Sequence, residues 1–138
     1  MTDYLKKFQD SYQRVMATEQ NGEDFFAAFY DNFTANDKSI AEKFRNTDML
    51  RQRQMLKDSL DQMLYFSIDK RSSETIEKIA ARHGPAGVDI PPKFYDIWMD
   101  SLLETVKHYD PDYDRHIDIA WRVNMAPGVA LMKALYYK

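Results

Sequence analysis

The sequence predicts an all-α fold in a single domain, and three observations carry that expectation. Apolar residues recur at spacings of three and four along most of the chain, the period of one helix face. The 138 residues include only four glycines, and the five prolines sit mostly between periodic segments. No stretch alternates apolar and polar residues as a half-buried strand would. Hydrophobic residues make up 44 % and aromatics 14 %, enough for one core and for a large buried ligand besides.

Taken in order, Tyr4, Leu5, Phe8, Tyr12, Val15 and Met16 mark a first helix from about Asp3 to Met16. The polar run Thr18-Glu19-Gln20-Asn21-Gly22 separates it from a second helix carrying Phe25, Phe26, Phe29, Tyr30 and Phe33, with a break over Asn32 to Asp37. A short helical piece holds Ile40 and Phe44. Thr47 is the expected N-cap of a long helix to about Phe66, whose inner face is Met49, Gln52, Leu56, Leu60, Met63 and Leu64. Asp69-Lys70-Arg71-Ser72 reads as a loop, and Ser72 or Ser73 with Glu74 as the cap of the next helix. That helix places Ile76, Ile79 and Ala80 on one face, with His83 one turn beyond Ile79. Gly84-Pro85 ends it, glycine suiting the exit geometry and proline being unable to continue the turn. After Pro91-Pro92 a long helix carries Tyr95, Trp98, Met99, Leu102, Leu103 and Val106 to near Asp110-Pro111. The last, from about Asp112, carries Ile117, Trp121, Met125, Val129, Met132 and Leu135. Pro127 inside it should kink it or remove one backbone hydrogen bond. The expectation is seven helices and no strand.

Three polar residues stand on apolar faces. His83 reads either as a half-buried side chain bonded to a backbone carbonyl or as an imidazole aimed into a pocket as axial ligand of a haem iron. Tyr30 and Gln52 each interrupt an apolar stripe. A buried phenol or amide without a partner costs roughly 1–3 kcal/mol, so each should be paired or face something polar. The bland alternatives are a tyrosine reaching water and, for Gln52 in the run Arg51-Gln52-Arg53-Gln54, a solvated surface. His108 and His116 flank the Tyr109-Asp110-Pro111 turn and read as surface residues. Glu104 and His108 share a helix face, but a di-iron bundle would need that pair duplicated with further inward carboxylates.

The composition excludes several classes of chemistry. Without cysteine there is no disulfide, zinc–thiolate site, iron–sulfur cluster or thiol nucleophile. Nineteen basic against 22 acidic residues give a formal charge of −3, and the basic ones are scattered, which argues against nucleic acid as a partner. No apolar run is long enough to span a membrane and the start has no signal-peptide core, so the expected compartment is the cytoplasm. Phosphate loops, nucleophile elbows and paired-carboxylate motifs are missing, and no catalytic residue is assigned.

The order of these pieces resembles the globin family, specifically full-length bacterial globins akin to the haem domain of flavohaemoglobins, over about Phe8 to Tyr136. Phe29-Tyr30-Asp31 resembles the family's distal tyrosine motif. Phe44 matches the phenylalanine that wedges against the haem plane. Gln52-Arg53-Gln54-Met55-Leu56 resembles the distal-helix motif, with Gln52 at the distal position and Leu56 over the iron. His83 matches the proximal ligand, Val88 the apolar residue after it at the haem edge, and Tyr95 the proximal-side tyrosine. Ala120-Trp121 resembles the start of the last helix. The His83-to-Tyr95 interval looks slightly longer than in flavohaemoglobins, leaving Phe94 as a competing register. The glutamate of their proximal relay would fall near Tyr136, so that relay is expected to be absent or altered. The long first helix argues against the truncated globin class.

The resemblance implies a three-over-three globin fold around haem b. It implies a slot lined by Phe44, Leu56, Leu60, Ile79, Val88, Trp98 and Leu102, with His83 as the metal ligand. Tyr30 and Gln52 would be hydrogen-bond donors toward a diatomic gas (dioxygen, nitric oxide or carbon monoxide), and Arg82, or an arginine of the distal helix, a partner for the haem propionates. Three functions are compatible with it. The first is reversible gas binding for storage or transport. The second is nitric oxide dioxygenase or weak peroxidase activity, which is expected to need an external reductase, since these 138 residues carry no dinucleotide fingerprint. The third is a haem-free, sensor-type helical module that binds a partner. Retention of His83 with Tyr30 and Gln52 speaks against the third.

Overall fold

The computed structural model describes residues 2–70, 74–84 and 89–137, apart from the side chain of Thr75. Its helices are α1 (Tyr4–Met16), α2 (Phe25–Ala35), α3 (Lys38–Lys43), α4 (Met49–Ile68), α5 (Glu74–His83), α6 (Lys93–Tyr109) and α7 (Arg115–Leu135). Among the described residues there is no strand, only an isolated bridge between Gln20 and Glu23.

Aspartate sets where the helices begin. The carboxylates of Asp3, Asp24, Asp37, Asp48 and Asp114 each accept a backbone N–H from the first turn of α1, α2, α3, α4 and α7. A carboxylate there satisfies an orphan donor and meets the positive end of the helix dipole. The long helix α4 is thus capped by Asp48, not Thr47, whose N–H is taken by the Phe44 carbonyl at 3.1 Å in the preceding turn. It also runs on to Ile68, and α2 continues through the expected break to Ala35. The last helix starts at Arg115, later than Asp112, because Asp114 claims the Ile117 N–H. The expected caps Ser72 and Ser73 of α5 lie outside the described residues.

One expectation about chain exits needs correction. Gly84 ends α5 without a left-handed backbone; the left-handed residues beside α1 and α5 are Asn21, Gly22 and Asp89. The carbonyls at the end of α5 are closed instead by donors further along the chain, Asp89 N to Gly84 O and Ile90 N to His83 O. Pro127 lies inside α7, which is helical from Arg115 to Leu135 on both sides of it, and its missing N–H removes one backbone hydrogen bond there.

The helices form two layers, α1, α4 and α5 over α2, α6 and α7. The last helix packs against α1, α4 and α5, and α2 against α6. Trp121 is wholly buried between them, its ring edge-on to Phe8 at 4.8 Å and near Phe25 and Tyr12. A buried indole N–H needs an acceptor, and it donates to Ser11 Oγ at 2.8 Å. Ser11 in turn donates to Asp110 at 2.5 Å, and Arg14 clamps the same carboxylate with Nε and a terminal nitrogen at 2.7 and 2.9 Å. One buried polar chain therefore ties α1 to α7 and to the corner after α6. Where α4 meets α7 a glycine is required, since a Cβ on Gly128 would sit 2.8 Å from Met63 Cγ. No helix among the described residues is long and apolar enough to cross a membrane.

Candidate functional site

The two polar interruptions on α2 and α4 come together. Phe25, Phe29 and Phe33 bury α2 so that Tyr30 follows them inward, to 6 % exposure. Gln52 enters in the first turn of α4, set by the Asp48 cap. Its Nε2 donates to Tyr30 Oη at 3.1 Å, while the same hydroxyl reaches the Gln52 backbone carbonyl only at 3.5 Å, the far limit of a hydrogen bond. Both are buried or half-buried, so the solvated-surface alternative for Gln52 does not hold. With Gln52 donating, the phenol oxygen is an acceptor and its proton is left with only that long contact. Burial pushes Tyr30 up to about 12, and the Gln52 bond only partly offsets it, so the phenol keeps its proton at neutral pH.

Phe44 closes one side of this pair. It is the C-cap of α3, half-buried, with its ring edge-on to Tyr30 at 5.5 Å and near Phe33 at 6.1 Å. Trp98 of α6 meets the same aromatic group through Phe29 at 6.1 Å and is also half-buried. Leu56 is buried one turn beyond Gln52 on the inner face of α4. Leu60 and Leu102 lie deeper, wholly covered by protein, and Leu60 also floors a surface groove of about 400 Å³ between α1 and α4.

His83 is the last residue of α5. Its Nδ1 lies 2.7 Å from the Ile79 carbonyl, so this nitrogen carries the proton and donates. Nε2 has no protein partner among the described residues and keeps its lone pair. Burial holds the imidazole below its ordinary pKa, and the Arg82 charge acts the same way, while the Ile79 bond opposes them. A neutral imidazole with Nδ1 fixed by a carbonyl and Nε2 free is the form in which histidine ligates a metal. The carbonyl bond expected of a half-buried histidine is therefore present, and Nε2 is left without a protein partner among the described residues.

The remaining expected residues are distributed as follows. Ile79 is buried on the inner face of α5, and Arg82 is exposed. Tyr95 and Phe94 are both buried, so burial alone does not separate the two registers; the Tyr95 hydroxyl makes no hydrogen bond among the described residues, and burial pushes it up to about 12. Val88 lies outside the described residues. His108, His116 and Glu104 are exposed, away from the Tyr30–Gln52 pair. The position expected to fall at a proximal glutamate, Tyr136, instead donates to Asp89 Oδ1 at 2.6 Å. Sequence reasoning did not assign that contact, and the only signal for it was a tyrosine just past the last apolar position of α7.

Among the described residues, seven helices in a three-over-three arrangement, with a histidine ending α5 and a tyrosine–glutamine pair between α2 and α4, make up the architecture of a globin. No family model and no curated protein matched the chain. Among solved structures it is similar to protein PA3967 of Pseudomonas aeruginosa PAO1, described as structurally highly homologous to a human hemoglobin. The two share 33 % sequence identity over 97 % of this chain and 98 % of that one, with a TM-score of 0.89. At that identity and coverage the chain belongs to the globin family.

Proposed function

We propose that the protein is a haem-binding globin that binds dioxygen or another diatomic gas reversibly, with His83 holding the iron. The observation that carries this reading is the state of His83: neutral, anchored through Nδ1 to Ile79 and free at Nε2. The apolar side chains of the expected slot suit the group. Leu56, Ile79, Phe44 and Trp98 come from different helices and offer a flat apolar cofactor its walls, the last two being partly uncovered. Haem bound there would supply an iron with one coordination position left open to a gas. Arg82, exposed next to His83, would meet a propionate at the rim.

Tyr30 supplies the polar contact on the gas side. Its hydroxyl proton is nearly unclaimed, so it can turn toward a ligand that carries partial negative charge, and the Gln52 amide holds the phenol oxygen in place while it does. The reading therefore gives the two residues unequal roles, Tyr30 as donor and Gln52 as its support. A closer kinship with the haem domain of flavohaemoglobins rests on the Phe29-Tyr30-Asp31 and Gln52-to-Leu56 motifs.

The test is titration of the purified chain with haem, followed by spectra of the oxidised, reduced and carbon monoxide-treated forms. The proposal expects saturation at equal concentrations of haem and chain and a carbon monoxide-sensitive reduced spectrum. Uptake without a break at equivalence, as in nonspecific association, would count against it.

A further inference from the structure

We infer that the groove between α1 and α4 is a binding site for a small organic cation, a primary ammonium carried on an unbranched aliphatic chain. The inference is independent of the haem reading. Both helices pack on α7 but scarcely on each other, so a cleft of about 400 Å³ stays open between them. Its floor is Phe8 and Leu60, each only 1 % exposed. On α4, Leu64 follows Leu60 by one turn and is partly buried, and Ile68 follows Leu64 by another and is 59 % exposed. These three residues share one side of α4, an apolar track leading from the cleft out toward water.

The rim selects for positive charge. Asp10 comes from α1 and Asp61 from α4, and no basic side chain lines the cleft among the described residues. Lys6 reaches Asp10 at 3.4 Å from one turn away, yet its side chain is 70 % exposed, so water screens that pair. Asp61 pairs with no cation among the described residues; its partner is the Tyr12 hydroxyl, at a long 3.4 Å. Burial, with the Asp61 and Asp58 charges, pushes the Tyr12 phenol well above its ordinary value, so it stays neutral. Its ring centroid lies 5.8 Å from that of Phe8 and 6.0 Å from that of Trp121, and this packing holds it as a firm aromatic face for a cation. An ammonium at Asp61 would replace a weak bond with a charge-assisted one, while its chain covered Phe8, Leu60 and Leu64. A carboxylate in the same place would meet two like charges, and a neutral alcohol would leave Asp61 without a counter-charge.

The experiment titrates the full chain with n-hexylammonium chloride and follows backbone amide shifts by NMR, with 1-hexanol and hexanoate as matched probes. The expected result is saturable shifts at Gln9, Gln13, Asp61 and Leu64, which line the cleft. 1-Hexanol should bind about tenfold more weakly, and hexanoate should not saturate. Asp61→Asn should weaken hexylammonium about tenfold, and Leu64→Ser about fivefold through lost apolar cover. Asp96→Asn removes the same charge from the exposed side of α6, where Asp96 pairs with Lys133, and should bind as wild type does. Tyr12→Phe keeps the ring and releases Asp61 from its long bond, so it should bind at least as tightly. Equal binding of 1-hexanol would reduce the cleft to a plain apolar groove and overturn the proposal. Equal losses in Asp61→Asn and Asp96→Asn, or no saturation by hexylammonium, would overturn it too. Shifts centred on Tyr30 and His83 instead would send the amine to the proposed iron site and count equally against the cleft; titration with haem decides that other reading separately.

Discussion

At the scale of single residues, the polar side chains set apart by the apolar pattern carry the proposed chemistry. The Tyr30 phenol has its oxygen held by Gln52 and its proton nearly free. Tyr30→Phe should therefore lose on the order of 1–2 kcal/mol of stabilisation of bound dioxygen, or roughly five- to thirtyfold faster release. Carbon monoxide develops less charge, and its release should change much less. Stopped-flow displacement with both gases checks this, and equal effects would point to a steric role. Gln52→Leu should show a smaller version of the same asymmetry, since it removes the support and not the donor. These two residues were legible because burial of a polar group without a partner is costly, so a polar residue on an apolar stripe demands an explanation. Their pairing was not legible, because the contact joins different helices and depends on how α2 crosses α4.

At the scale of elements, the helices were legible from periodicity, whereas their ends and contacts were less so. Thr47 and Asp48 are both good N-caps; in the structure Thr47 belongs to the turn after α3 and the Asp48 carboxylate accepts the Arg51 N–H. The same holds for Gly128, whose role periodicity does not reveal and which in the structure is where α7 approaches α4 closely. Gly128→Ala should cost about 1–3 kcal/mol, as overpacking does, because the clash is with Met63 Cγ and Cβ, which cannot swing away like the tip of a chain. Gly84→Ala should cost far less, since an added Cβ there meets carbonyl oxygens no closer than 3.6 Å. Denaturant unfolding of both variants checks the contrast. Adding Met63→Ala to Gly128→Ala should recover part of the loss, and strict additivity would contradict the packing account.

At the scale of the whole molecule, the chain from Trp121 through Ser11 to Asp110 and Arg14 couples the two layers and gives the protein an acid limit. Burial alone would raise the Asp110 pKa, but the bonds from Arg14, Ser11 and the Asp112 N–H outweigh it, so it lies below its ordinary value in the folded state. A folded carboxylate with a depressed pKa contributes stability that is complete above the ordinary aspartate value. That contribution drains away as pH falls from about 3.9 through the lowered folded value. Arg14 is 28 % exposed, so water screens part of the pair, and Asp110→Asn should cost only about 1–3 kcal/mol near neutrality. The variant should also lose this part of the acid dependence, which thermal unfolding from pH 6 downward would show as a shallower decline. His83 is the residue on which the proposed function turns. The most direct measurement is the spectrum of His83→Gly in the presence of haem, with and without added imidazole. The account predicts that this variant loses the wild-type reduced and carbon monoxide spectra and regains them when imidazole enters the vacated place, while His108→Ala and His116→Ala keep them unaided. A His83→Gly protein that kept a normal five-coordinate ferrous spectrum without imidazole would contradict it.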